Sequence, residues 1–202
     1  YRYVPRLTPH PAKDPDGHSY RKDSEDIICS VYDASAWSEN IDYLSSKGYV
    51  IEHFVVDLSS AMSLFDSSLT DSERLVPEGH YEEEQMKQTV VPNRNAIFSS
   101  ILYGYALTVS TKENVDVYVT LGVHSGDHAI YPDCSPEFYD ALMRAFETGN
   151  WGSERVTVNL PYVDGDKESI LREAIISCDS LGLDFDTVFR NTNTSYSPDE
   201  LG

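Results

Sequence analysis

Residues 115–138 read VDVYVTLGVHSGDHAIYPDCSPEF, and the fold turns on how that stretch divides. Its first part, Val115 to Leu121, is a short apolar run and reads as a buried strand. The second part, Gly122 to Phe138, cannot be a helix, because Pro132 and Pro136 break the hydrogen-bond ladder and Gly126 costs backbone entropy. A polar loop at the carboxyl end of a parallel strand is where open α/β sheets bind small ligands. The loop carries His124, Asp127, His128, Asp133 and Cys134, which makes it a candidate site from its residues alone.

The flanking sequence repeats the alternation of strand and helix. Ile27 to Tyr32 reads as a short strand, Trp37 to Lys47 as a helix with Ser35 or Ser38 as cap, and Val50 to Leu58 as a second strand. Asn95 to Val109 reads as a buried helix leading into the Val115 strand. Pro136 to Phe146 reads as a helix with proline in its first turn, ending near Gly149. Val156 to Leu160 follows as a strand. Lys167 to Leu181 is amphipathic, with Ile170, Leu171, Ala174, Ile175, Cys178 and Leu181 on one face and Gly182 as its stop. The pattern predicts α/β architecture with a parallel, doubly wound sheet over residues 27–202. Residues 1–26, rich in proline, histidine and charge, read as an extended arm with few contacts to its own domain, suited to packing on other protein subunits or on a second copy of the chain. Residues from Asp184 to Gly202 read as loop.

Composition narrows the function classes. The chain of 202 residues has 34 acidic and 15 basic side chains, for a net charge of −19. Affinity for nucleic acid rests on Lys and Arg neutralising phosphates, so naked DNA or RNA and anionic membranes are poor partners. No apolar stretch approaches the ~20 residues that span a bilayer, and the first residues do not resemble a signal peptide. Three cysteines at wide spacing, Cys29, Cys134 and Cys178, offer neither a C-x-x-C pair nor a disulfide framework. A cytoplasmic protein, or part of a particle assembled inside the cell, is expected.

The loop resembles the signature of the 7-cyano-7-deazaguanine synthase (QueC/ExsB) family, in which a GVHxGDHxIYPDCxPEF stretch follows a core strand. A second block, Val76 to Phe98 (VPEGHYEEEQMKQTVVPNRNAIF), is similar to the same family and includes its VPNRN at Val91 to Asn95. The resemblance implies an adenine-nucleotide α-hydrolase-like fold. It also implies an ATP-dependent enzyme that turns 7-carboxy-7-deazaguanine and ammonia into a nitrile, with a structural zinc held by four cysteines. The implied substrate-binding set is Asn93, Arg94, Asn95, His124, Asp127, His128, Asp133 and Cys134.

Two departures from the family pattern shape the expectation. The family's phosphate loop reads Ser-Gly-Gly-x-Asp-Ser, whose glycines let backbone N–H groups approach pyrophosphate. This sequence has no Gly-Gly dipeptide, and the corresponding junction reads Ser30-Val-Tyr-Asp-Ala-Ser35. In another alignment Tyr32 and Asp33 belong to the family's second strand. The first zinc cysteine has its counterpart at Ser195, and a hydroxyl does not replace a thiolate on zinc. These departures predict a degenerate member without synthase activity, a pseudoenzyme serving as a binding, assembly or structural component, with no cofactor and no metal. The alternative is an active ATP-dependent synthase, using ATP and zinc, whose missing elements lie outside this chain or on a partner.

Each polar residue also has a plainer reading. His124, Asp127 and His128 suit a metal, a ligand pocket, or a loop that satisfies its own backbone. Cys134 suits a nucleophile at a helix N-terminus or a small buried hydrophobe. Asn93 suits a helix cap, with Arg94 in an internal ion pair or in a bidentate grip on a phosphate or carboxylate. Glu82 to Glu84 suits a solvated acidic face better than a cation site.

Overall fold

The computed structural model describes residues 2–8, 27–33, 38–49, 51–70, 77, 84–127, 130–190 and 192. Six strands form one sheet: β1 (Arg2–Thr8), β2 (Ile27–Asp33), β3 (Glu52–His53), β4 (Val56–Asp57), β5 (Val117–Thr120) and β6 (Val156–Asn159). Their order is β3-β1-β2-β5-β6, with β4 also on β1. Among the described residues six helices accompany them: α1 (Ser38–Ser46), α2 (Ser59–Met62), α3 (Arg94–Glu113), α4 (Pro136–Gly149), α5 (Lys167–Leu181) and α6 (Phe185–Arg190).

The sheet has two halves. β2, β5 and β6 are parallel, in register from Ile27 beside Val117 and Val117 beside Val156. On the other side β1 runs antiparallel to β2, β3 and β4. The chain is therefore a mixed α/β structure with a small parallel sheet, and among the described residues a wholly parallel, doubly wound sheet is not seen. The Val50 to Leu58 strand also divides into β3 and β4, which pair with β1 rather than with β2.

The expected N-terminal arm is corrected in part. Residues 2–8 form β1, an interior strand paired on both sides, whereas residues 9–26 lie outside the described residues. Ladder hydrogen bonds to both neighbours offset the ordering entropy that the segment's small apolar content would not. Pro5, opposite Val31, removes one donor and is the feature that disguises the strand. A second correction falls at Phe185–Arg190, which forms α6 rather than loop.

The core sits between the parallel strands and α3. That helix buries Phe98, Leu102, Ala106 and Ser110 at four-residue intervals, with Ser99 and Tyr103 alongside. Leu102, Val117 and Val119 are almost wholly enclosed, each contributing roughly 1.5–3 kcal/mol of burial. Side chains alternate along β5 and β6: Val117, Val119 and Val156 are buried, while Tyr118 and Thr157 on the opposite face are exposed. Helix α1 is joined to the C-terminal helices. Asn40 Nδ2 donates to Val188 O (3.0 Å), Tyr49 Oη to Leu181 O (3.0 Å), and Asp184 N–H to Tyr43 Oη (2.8 Å). Helix α5 stops where Gly182 takes the left-handed conformation, φ 64°.

Candidate functional site

Three elements meet at the N-terminus of α3. Val91 to Asn93 make the turn into the helix, with Arg94 N–H donating to Val91 O (3.2 Å). Asn93 is left-handed, φ 57°, and occupies the cap position without a side-chain bond to the helix. The capping group comes from the signature loop instead. Asp133 Oδ2 accepts the Asn95 N–H at 3.2 Å, and Asn95 Nδ2 donates back to Asp133 O at 3.0 Å and to Cys134 Sγ at 3.3 Å. A carboxylate at this end of a helix is also favoured by the helix dipole.

The loop is held in shape by its own turns. Cys134 N–H donates to Tyr131 O (2.9 Å) and Ser135 N–H to Pro132 O (3.2 Å). Ser135 Oγ then accepts the Phe138 N–H and caps α4, with Pro136 in the first turn. Cys134 is buried beside Met86, Ile130 and Tyr131.

Tyr131 and Thr89 belong to the site although sequence reasoning did not select them. Thr89 Oγ1 donates to Met86 O (2.7 Å), so its one proton is committed. The 2.5 Å contact between Thr89 Oγ1 and Tyr131 Oη therefore has the tyrosine as donor. The Arg94 guanidinium stands over the Tyr131 ring, 5.2 Å from its centre, a cation–π contact worth ~1 kcal/mol. Tyr131 lies within the signature loop and Thr89 just before Val90, so position was the available signal. Beneath them, burial pushes the Tyr139 phenol pKa well up. The Cys134 and Asp133 charges add to the rise, while Ser99 and Arg94 oppose it. Ser99 Oγ lies close enough to Tyr139 to favour the phenolate, yet it makes no hydrogen bond of good geometry.

The sequence-selected residues thus divide. Asn95, Asp133 and Cys134 are in direct contact, with Arg94 beside them over Tyr131. Asn93 is exposed at the turn. His124 turns back on its own loop, its Nδ1 accepting the Gly126 N–H at 3.1 Å. A Cβ at Gly126 would come within 3.0 Å of the His124 ring, so only glycine fits there without displacing the histidine. Ser125 anchors this part to the loop before α5, its N–H and Oγ both donating to Gly165 O at 2.8 and 2.5 Å. Asp127 ends a 3-10 turn, and His128 lies outside the described residues.

The phosphate-loop and zinc positions receive different answers. Ser30 to Asp33 lie within β2, so that part of the junction is strand, while Ala34 and Ser35 lie outside the described residues. Ser195, Glu82 and Glu83 also lie outside them. Among the described residues no group of three or more His, Cys, Asp or Glu side chains could hold a metal ion, so the donors present there do not fit a zinc site. No described helix is long and apolar enough to cross a membrane.

The family model described as "Queuosine biosynthesis protein QueC" matches residues 33–202. The chain belongs to the QueC family. It is 44% identical over 135 residues to the 7-cyano-7-deazaguanine synthase of Alteromonas mediterranea, covering 67% of this chain and 57% of that protein. It is 43% identical over 152 residues to 7-cyano-7-deazaguanine synthase 1 of Colwellia psychrerythraea, covering 75% of this chain and 62% of that protein. With the synthase of Hahella chejuensis the identity is 46% over 136 residues, covering 67% and 54%. This QueC-family chain thus spans little more than half the length of the curated relatives it matches. No solved structure was found to match it.

Proposed function

We propose that this QueC-family chain supplies the deazapurine site of a 7-cyano-7-deazaguanine synthase, which converts 7-carboxy-7-deazaguanine, ammonia and ATP into the nitrile. One observation carries the reading: Asn95 is bonded to both Asp133 and Cys134, which joins the two family blocks into one polar cluster with Arg94 at its side. A substrate carboxylate, and the charge that builds on it during activation, would be met by the Arg94 guanidinium. Asp133 and Asn95 hold the loop and the helix end at a fixed separation, so their first role is positioning. The ATP phosphates would be received by backbone N–H groups supplied from outside the described residues or by a partner. No step is assigned to zinc. The fold proposed with this function is adenine-nucleotide α-hydrolase-like, with α1, α5 and α6 as the second helical layer; their bonds to one another support it.

A second reading keeps binding and drops turnover. It is favoured by the placement of Ser30 to Asp33 within a strand, where a glycine-rich cradle would be needed.

The decisive experiment incubates the purified protein with 7-carboxy-7-deazaguanine, ATP and ammonium, and follows product by mass spectrometry and substrate binding by calorimetry. Nitrile formation that falls at least about tenfold in Arg94→Ala supports the synthase. Binding that is weakened in Arg94→Ala, without any product, supports the second reading. Absence of both product and binding overturns the two together.

A further inference from the structure

A cleft of about 590 Å³ opens between the end of α4 and strand β6, lined by Tyr103, Met143, Glu147, Ser153, Glu154 and Val158 among others. Its residues take no part in the cluster around Asn95. The volume falls in the ordinary range for small-ligand sites. We propose that this cleft binds a small aliphatic ammonium cation, a diamine or a longer linear polyamine.

Three observations converge on a cation. The first is an unsatisfied buried group: Tyr103 is 3% exposed, and among the described residues its hydroxyl has no hydrogen-bond partner. Leaving such a group unpaired costs roughly 1–3 kcal/mol, and a bound N–H donor would complete it. Tyr103, Glu147 and Glu154 line the same cleft, and after burial itself the two carboxylates add to the rise of the phenol's pKa.

The second is unbalanced charge. Glu147 stands in the last turn of α4, where there is no basic side chain, and the helix dipole is already negative at that end. The neighbouring guanidinium of Arg155 is engaged elsewhere, with Asp116 at 3.0 Å and Asn114 at 2.6 Å. Among the described residues neither Glu147 nor Glu154 has an ion-pair partner.

The third is the mixed chemistry of the lining. Two carboxylates and the hydroxyls of Ser153 and Thr157 stand beside the apolar surfaces of Met143, Val156 and Val158. A metal ion would find only two carboxylates, and no described group offers three such ligands. An alkylammonium needs acceptors for its N–H groups and apolar surface for its methylenes, and the cleft offers both.

The test titrates 1,4-diaminobutane into the protein at 150 mM salt, where diffuse attraction to a chain of charge −19 is screened. 1,4-Butanediol and Mg²⁺ serve as controls, with binding followed by NMR or calorimetry. Saturable binding of one diamine per chain is expected, weakened at least about tenfold in the double variant Glu147→Gln, Glu154→Gln. Tyr103→Phe should weaken binding several-fold without lowering Tm, since it removes an unpaired hydroxyl from the core. The exposed control Glu113→Gln should bind as the parent does. Absence of saturation overturns the proposal. So does equal binding of the diol or Mg²⁺, loss in Glu113→Gln matching that in the double variant, or unchanged affinity in Tyr103→Phe.

Discussion

Helices α5 and α3 begin in opposite ways. At α5 the cap is local: Asp166 accepts the Ser169 N–H at 2.8 Å, and Ser169 Oγ accepts the Asp166 N–H at 2.8 Å, a reciprocal box within four residues. At α3 the residue in the cap position, Asn93, contributes no side-chain bond, and the carboxylate comes from Asp133, 38 residues beyond Asn95. A local cap can form as its helix forms. A distant one completes its helix only when the loop docks, so it ties folding of α3 to the shape of the site. Structure and candidate function are therefore coupled at α3 and separate at α5.

The sharpest way to break this contrast is to remove the distant cap. Asp133→Ala should lower stability by ~2 kcal/mol, because α3 loses a charged cap and the loop loses its partner. For a chain of this size that is on the order of 5 °C in Tm. Asn95→Ala should cost a similar amount, and the double variant should cost clearly less than the sum, since the two side chains serve one junction. Additive losses in thermal melts would show that α3 and the loop are held independently.

The same contrast explains what could be read in the sequence. The strand and helix periods from Asn95 to Leu181 depend on neighbours within a few residues, and α3, β5, α4, β6 and α5 lie within a few positions of where the pattern places them. Gly182 as a stop and Pro136 as a start are local signals of the same kind. The N-terminal part depends on pairing partners far along the chain. Arg2–Thr8 is a strand because β2, β3 and β4 flank it, and Pro5 points the other way locally. At the site, the two family blocks were legible as motifs, yet their junction through Asn95 was not. Tyr131 and Thr89 escaped selection because a tyrosine and a threonine in such segments have commoner roles in packing and turns.

A smaller effect tests the platform beneath Arg94. Tyr131→Phe keeps the ring under the guanidinium and removes the bond to Thr89, at an expected cost of ~1 kcal/mol. Tyr131→Leu removes both, and should release Arg94 as well. If the substrate affinity of Tyr131→Leu equals that of Tyr131→Phe, the cation–π contact does not position Arg94.

Smaller again is the response of the local cap. The Ser169 N–H and hydroxyl hold the exposed Asp166 carboxyl below its ordinary range. A depressed folded pKa gives stability that is complete above the unfolded value, near 4, and is lost as pH falls through the folded one. Amide protection in the first turn of α5 should therefore fade only below about pH 4. Asp166→Asn should flatten that dependence while keeping the cap. Protection that fades at the same pH in the variant would assign the titration to another group.

The smallest effect is expected for Asn93→Gly, and it is the one that most directly separates the two modes of capping. Asn93 sits at φ 57°, a conformation that asparagine tolerates and glycine adopts freely. Were its side chain the cap of α3, replacement by a residue without one would cost stability. Because Asp133 fills that role instead, Asn93→Gly should leave Tm unchanged within about 1–2 °C, while Asn93→Ala, which adds only the left-handed penalty, should cost ~1 kcal/mol. The pair of substitutions isolates backbone geometry from side-chain bonding at one position. A loss in Asn93→Gly as large as that in Asp133→Ala would return the cap to Asn93 and undo the distinction between α3 and α5.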